Sequence, residues 1–573
     1  MKKLIPIISV LIATTSLVAQ NIAIPHLQKN GNATQLIVEG KPFLVLGGEL
    51  HNSSTSGAAY MGPIWEQMKS KNLNTVIAPV YWELLEPQQG NFDYSLVDSM
   101  VYGARNANLH LVILWFGSWK NGYSMYAPGW VKSNTEKYTR AKNKNGESYQ
   151  MLSALGSNAM KADANAFKML MTHIRSIDEK YQTVITVQME NEMGLFYGPR
   201  EYSDEASKAF NGKVPDDLMK YMLSNKGKLQ PEIDSAWKAN GYKGSGSWEE
   251  VFGKSSVSDN KNWQALSYLP EELFTSYHYA KYVGQVAAAG KEAYPIPMYV
   301  NAWIKQPGFG SPGRYPAGGP VPHTLDIWRS EAPAIDFISP DIYTTMNVAQ
   351  YTMEQYHRAG NPLFVPEFKP GIQSANMAFW AYGQHDAICF SLFGIDESKP
   401  ADDPITKTYA AIAQVQDLIL SNQGKGTMAG IYLDSTNTHQ SFKLNGYSIR
   451  ATITGTSALE LAYNPNAKKV MAAGGIIIAT VPDEFIIVGT DFSLTFTPLK
   501  PDASRPLLDV EYTDEGNFVN GKWTATRRLN GDEGTGGGDY GFGFGNNKAA
   551  LMRFQKPPNG DYSIVKFKIY RYK

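Results

Sequence analysis

The sequence holds one cysteine, Cys389, in 573 residues. No internal disulfide can form, and its place in the apolar run Ala387-Ile388-Cys389-Phe390 marks it as a core residue rather than a nucleophile. Net charge is missing as well, because 53 Lys+Arg balance 53 Asp+Glu. That balance argues against a nucleic-acid partner or an anionic membrane surface, either of which favours a basic excess. Nine histidines are scattered without ligand spacing, and neither a His-Glu-x-x-His motif nor an acidic calcium loop occurs, so no metal and no cofactor is implied. No Gly-rich phosphate loop follows a strand. The glycines between Asn530 and Asn547 lie in a β-textured region with no helix after them, and they read as a long loop. Beyond the N-terminus no stretch is apolar and long enough to span a bilayer.

The N-terminus itself carries an address. Lys2 and Lys3 precede an apolar run from Leu4 to Ala13, and Leu17-Val18-Ala19 offers a small residue for cleavage. Residues 1–19 therefore read as a secretory signal peptide, and the mature chain is expected in the periplasm or outside the cell. Hydrophobic residues at 43% and charged residues at 18% describe a globular chain with a sizeable core, long enough for two or three domains. Nothing in the sequence bears on oligomeric state. The 12 Trp and 33 Tyr exceed what a core alone needs, and a surplus of rings suits a sugar-binding cleft.

From about residue 41 to 425 short apolar runs alternate with amphipathic stretches. The runs are Phe43–Leu46, Thr75–Ala78, Leu109–Trp115, Val184–Met189, Pro297–Val300, Ile335–Ile338, Leu363–Val365 and Ala387–Phe393. Eight buried parallel strands separated by helices predict a (β/α)₈ barrel in the α/β class. Residues 20–40 add an N-terminal β segment. The long polar stretch from Met193 to Leu269 reads as an insertion after the fourth strand. From 426 to 573 the texture is all-β, as in Gly474–Val481, Phe485–Gly489, Leu494–Thr497 and Tyr562–Tyr572, and predicts a sandwich or jelly roll.

In such a barrel, chemistry sits where strands end in loops. The fourth strand runs Gln188-Met189-Glu190-Asn191-Glu192-Met193-Gly194. Strand alternation places Gln188, Glu190 and Glu192 on one face, with Glu192 outermost. The seventh ends Val365-Pro366-Glu367-Phe368. Two carboxyl groups flanking a bond are what glycoside cleavage requires, one to protonate the leaving oxygen and one to meet the anomeric carbon.

The segment Gln188-Met-Glu-Asn191-Glu192-x-Gly194 resembles the acid/base motif of glycoside hydrolase family 35, the β-galactosidases of the retaining (β/α)₈ clan. Met193 stands where an aromatic residue is usual, and Tyr181-Gln-Thr183 replaces the usual glycines, so the resemblance is to a divergent branch with a C-terminal β domain. Trp82-x-x-x-Glu86-Pro87-x-x-Gly90-x-Phe92-Asp93 and Gly47-Gly48-Glu49-Leu-His51 carry it further. The resemblance implies Glu192 as general acid/base, Glu367 as nucleophile and Asn191 as donor to the sugar 2-hydroxyl. It points to Tyr343 as the holder of the nucleophile, with Asp341 as an alternative structural partner. It also suggests Glu49, Trp82, Trp119, Lys120, Asn121, Asn301 and Trp303 as sugar-binding positions, with Glu83 beside Trp82 and His51 either a ligand group or a structural histidine. The activity implied is a retaining exo-β-galactosidase acting on β-galactosides, with plant cell-wall glycans such as xyloglucan fragments as candidates. Other clan β-glycosidases, or a non-catalytic glycan-binding barrel, are the alternatives. Carboxyl groups roughly 5–5.5 Å apart would mean retention, and roughly 6.5–9.5 Å inversion.

Overall fold

Each of the eight apolar runs is a stave of one closed parallel barrel in the computed structural model. The strands are Val45–Glu49, Thr75–Tyr81, His110–Lys120, Val184–Asn191, Met298–Trp303, Phe337–Ile342, the pair Phe364–Val365 and Glu367–Phe368, and Cys389–Phe393. They pair in sequence order, and the eighth returns to the first. The seventh is split because Pro366 has no N–H to give the ladder. Its first piece pairs with strand eight and its second with strand six, so the two halves close the ring between them. The structure describes residues 23–257, 262–358, 360–454, 470–519, 521–529, 550–553 and 562–573. The expected signal peptide and the Gly-rich run lie outside the described residues.

One end of the barrel is plugged. Val45, Ile185, Tyr299, Phe337 and Phe364 sit at or next to the starts of their strands and form one buried cluster with Leu36 and Val38. Those two come from a small antiparallel sheet, His26–Asn30, Ala33–Val38 and Lys41–Phe43. The N-terminal mouth is therefore filled with hydrocarbon, which leaves the opposite mouth for polar groups.

The stretch after strand four is the expected insertion, and it is helical. It folds into helices Asp204–Asn211, Asp216–Ser224, Pro231–Ala239 and Trp248–Phe252, which share a core of Phe210, Leu218, Met222, Trp237 and Trp248. Ser247 begins the last of these with a reciprocal capping box to Glu250. Short helices with only two or three buried residues each look polar overall, which hid the pattern in the sequence.

Past the helix Pro404–Asn422 the chain forms two antiparallel sheets of six and four strands. Phe485, Phe492, Phe496 and Phe567 lie in the core they share. The strand Ala472–Val481 is buried on both sides, with Ile477 in the sandwich core while Ile476 and Ile478 join the barrel core. The sandwich rests on the helix Ile372–His385 with little room between backbones. A Cβ at Gly430 would lie 2.6 Å from the Trp380 carbonyl oxygen, and one at Gly474 would lie 2.7 Å from that of Asn376.

Candidate active site

The open mouth of the barrel gathers carboxyl groups. One carboxylate oxygen each of Glu192, Asp341 and Glu367 lies within 4.8 Å of the other two. These residues end strands four, six and seven, and all three are buried. Two full charges at that separation repel by about 3–4 kcal/mol at an effective dielectric of about 20. Removal from water adds to that penalty, so protons are retained. Burial first, and the Glu367 charge second, lift the Glu192 carboxyl to about 8. Burial and the charges of Glu367 and Glu192 push Asp341 well above the usual carboxylate range. Among the described residues this is the one three-residue acidic or histidine cluster so close, and a cation there would have to displace the proton of Glu192.

The supports of this cluster come from neighbouring strand ends. Tyr343 donates its hydroxyl to Glu367 Oε2 at 2.6 Å, and Asn191 donates Nδ2 to Glu367 Oε1 at 3.1 Å. Lys120 Nζ donates to Asn191 Oδ1 at 2.7 Å, which fixes the amide so that its NH₂ faces Glu367. Asn121 Nδ2 donates to Glu192 Oε2 at 2.7 Å. Asn301 accepts the Glu192 backbone N–H at 2.9 Å and donates to Asp341 Oδ2 at 2.7 Å. Glu49, at the end of strand one, is fully buried and neither of its oxygens receives a donor. Burial and the Glu367 charge hold its carboxyl well above the usual range, so it stands ready as a neutral acid.

Strand alternation breaks at one point. It put Glu190 and Glu192 on one face and Asn191 on the other, yet Asn191 and Glu192 both enter the mouth. The backbone explains this, because Glu190 (φ 57°) and Glu192 (φ 46°) adopt the left-handed region and undo the pleat. Such conformations in non-glycine residues carry strain of order 1–3 kcal/mol each and gather at functional sites. Glu190 turns away to a second acidic cluster. Its oxygens accept the backbone N–H groups of Ser118 (3.1 Å) and Trp119 (2.7 Å). Its partner Asp163 accepts from Trp115 Nε1 (2.9 Å) and Ser118 Oγ (2.6 Å). Burial first, then the Asp163 charge, raise Glu190 well above the usual range. Gly117 makes room, since a Cβ there would lie 2.8 Å from Glu190 Oε1.

Of the expected sugar-binding residues, Glu49, Lys120, Asn121, Asn191, Asn301 and Tyr343 meet around the Glu192–Glu367 pair. Trp303 stands at the rim, its ring edge-on to Phe196 at 5.6 Å. Trp82 and Trp119 do not join them. The chain coils into the short helix Trp82–Leu85 directly after strand two, and the buried Trp82 indole donates to Glu86 Oε2 at 2.9 Å. Trp119 donates its indole N–H to the Leu152 carbonyl at 3.2 Å and packs on Tyr279 and Tyr282. Only its backbone serves the site, through Glu190. Glu83 pairs with Lys132 at 2.9 Å, and His51 meets Glu397 at 2.7 Å on the rim. Asp163 belongs to no motif in the sequence. It lies among Ala159, Ala166, Phe167 and Leu170 on the buried stripe of the helix Ser157–Asp178. A charge on an apolar stripe is the signal that could have found it.

Residues 35–283 match the family model described as Glycosyl hydrolases family 35, and residues 405–538 match a domain of unknown function, DUF5597. Over 215 residues the chain is 28% identical to a beta-galactosidase of Xanthomonas manihotis, a match covering 32% of this chain and 33% of that protein. The chain thus spans about a third of the length of this curated relative. A beta-galactosidase from Bacillus circulans sp. alkalophilus superposes with a TM-score of 0.44 at 14% identity, over 66% of this chain and 57% of that one. A beta-galactosidase from the psychrophilic Marinomonas ef1 gives 0.46 at 11% identity, over 67% and 63%. The match to Glycosyl hydrolases family 35 contains Glu49, Lys120, Asn191 and Glu192, donors and acids of the mouth.

Proposed function

We propose that the protein is a retaining, exo-acting β-galactosidase. The observation that carries this reading is the separation of the Glu192 and Glu367 carboxylate oxygens, within 4.8 Å. That spacing suits direct attack by one carboxyl group and leaves no room for the water an inverting pair would hold between them. The protonation of Glu192 and the hydrogen bonds to Glu367 divide the roles. Glu192, lifted to about 8, holds a proton at neutral pH and donates it to the leaving oxygen. Glu367, held by Tyr343 and Asn191, attacks the anomeric carbon. Once Glu367 is esterified its charge is gone, and one cause of the raised Glu192 value goes with it. Glu192, ionised by that first donation, then takes a proton from water, whose oxygen bonds to the anomeric carbon as the ester to Glu367 breaks, and the sugar leaves with its configuration kept.

Asn191 Nδ2 and the neutral Glu49 supply donors for sugar hydroxyls beside the nucleophile. Glu49, Asn191, Asn301, Asp341 and Glu367 are all nearly inaccessible, which supports a closed pocket for one terminal sugar rather than an open cleft. The basic and apolar residues at the N-terminus support export, with cleavage near Ala19. The deciding experiment is a screen of nitrophenyl glycosides, followed by proton NMR of the first product formed. Preferred cleavage of the β-galactoside with initial release of β-galactose is expected. Initial release of the α-anomer, or preference for another sugar, would refute the reading.

A further inference from the structure

The mouth of the barrel holds an acid, Asp341, to which neither chemical step gives a part. It ends strand six and is buried, in register with Trp303 of strand five on one side and Glu367 of strand seven on the other. Asn301 stands between it and Glu192. The Asn301 amide oxygen accepts the Glu192 backbone N–H at 2.9 Å, so its NH₂ must face the other way, and it donates to Asp341 Oδ2 at 2.7 Å. Oδ2 is thereby an acceptor. Oδ1 is buried and receives no donor.

A buried carboxyl with a bare oxygen gains little from ionising and keeps its proton instead. Because Oδ2 accepts, that proton belongs on Oδ1. Glu367 is the opposite case, with Tyr343 donating to one oxygen and Asn191 to the other, so the charge of the resting site lies on Glu367. The groups that face Asp341 agree with this division. Glu49, Glu192 and Glu367 are acids on strands one, four and seven, and Lys120 on strand three is the cation among them. Tyr299, Tyr343 and Tyr356 complete the surround, and burial keeps these phenols neutral. The first chemical step moves the charge. Glu192 gives its proton to the leaving oxygen, Glu367 becomes an ester, and the negative charge now sits on Glu192. Asn121 covers Glu192 Oε2, and the Asp341 carboxyl lies within hydrogen-bonding reach of the Glu192 carboxyl.

We propose that Asp341 is a positioning residue that keeps its proton on Oδ1 throughout and donates that O–H to the Glu192 carboxylate once Glu192 has released its own proton. This rests on the reading of Glu192 as acid/base. No proton leaves Asp341, and no bond to it forms or breaks. Its hydrogen bond stabilises the ionised form of Glu192, which makes Glu192 a stronger acid in the first step. The bond is given up when Glu192 takes a proton from water in the second.

The test uses the full-length protein and two variants. Asp341→Ala removes the donor, and Asp341→Asn puts an N–H in its place while an amide oxygen still meets Asn301. Infrared titration reads the protons without a substrate. At neutral pH, Asp341→Asn should lack one protonated-carboxyl C=O band that the wild type shows. The Glu192 band, identified by its absence from Glu192→Gln, should vanish about one pH unit higher in Asp341→Ala than in the wild type. In Asp341→Asn it should vanish where the wild type loses it. The alkaline limb of kcat/KM on nitrophenyl β-galactoside should follow the same order. Loss of a carboxylate band instead of a protonated one in Asp341→Asn would overturn the proposal, because Asp341 would then carry charge. So would a Glu192 titration that is unmoved or lowered in Asp341→Ala. Should Asp341→Ala fail to fold, the two readings on Asp341→Asn still decide. If no galactoside is cleaved, the β-galactosidase reading fails, while the infrared titration still tests the proton on Asp341 and its bond to Glu192.

Discussion

Two acidic clusters lie side by side in this barrel, built from glutamates two residues apart on one strand. Around Glu190 every need is met. Its two oxygens take two backbone N–H groups, and Asp163 takes an indole and a hydroxyl. Around Glu192 the needs outrun the supply. Four carboxyl groups face one lysine, both Glu49 oxygens lack donors, and Asp341 Oδ1 lacks one as well. Buried polar groups are normally satisfied, so the first cluster reads as scaffold and the second as a site awaiting hydroxyl groups. The satisfied cluster also serves the other, because the backbone it clamps at Ser118 and Trp119 leads directly to Lys120 and Asn121.

Substitutions should separate the two. Glu367→Ala is expected to lose activity by about 10⁴-fold or more on every substrate, with the fold intact by circular dichroism. Glu192→Ala should lose about 10²–10⁴-fold on substrates with poor leaving groups, and far less on one whose leaving group needs no proton. Equal loss on both kinds of substrate would break the assignment of Glu192 as acid. Glu190→Gln should instead cost stability, about 1–3 kcal/mol in denaturant unfolding, since one backbone N–H would face an NH₂ group. A Glu190→Gln protein as stable as the wild type but devoid of activity would erase the distinction between the two clusters.

The pH dependence sharpens it further. Glu192 acts as an acid only while protonated, so kcat/KM should fall as pH rises through about 8. Lys120 is the charge that lowers this value, so Lys120→Ala should move the alkaline limb upward. The same group bears on stability. Between its ordinary 4.5 and about 8 the folded chain holds a proton that the unfolded chain has lost, so stability declines as pH rises across that window. Glu192→Gln should flatten the decline, a stabilising change at a site where function keeps a cost.

Much of this was legible in the chain. The eight apolar runs all became staves, because a parallel strand covered on both faces must be apolar throughout. Glu192 and Glu367 could be picked because polar groups at the end of such strands have few other places to go. What stayed hidden depends on backbone turns that periodicity does not encode. The left-handed residues at 190 and 192 reversed the expected facing of Asn191 and Glu190. The helical turn after strand two carried Trp82 into the core. The indole of Trp119 went to packing and only its N–H to the site, a division that no residue type announces.

The most direct test of the central claim is to trap the reaction halfway. A 2-deoxy-2-fluoro-β-galactoside with an activated leaving group slows both steps but leaves departure easy, so a covalent sugar should accumulate. Peptide mass spectrometry should then find the adduct on Glu367, and the Glu192→Ala protein should form it as well. A label on Glu192, on Glu190 or on no residue during turnover would contradict the account.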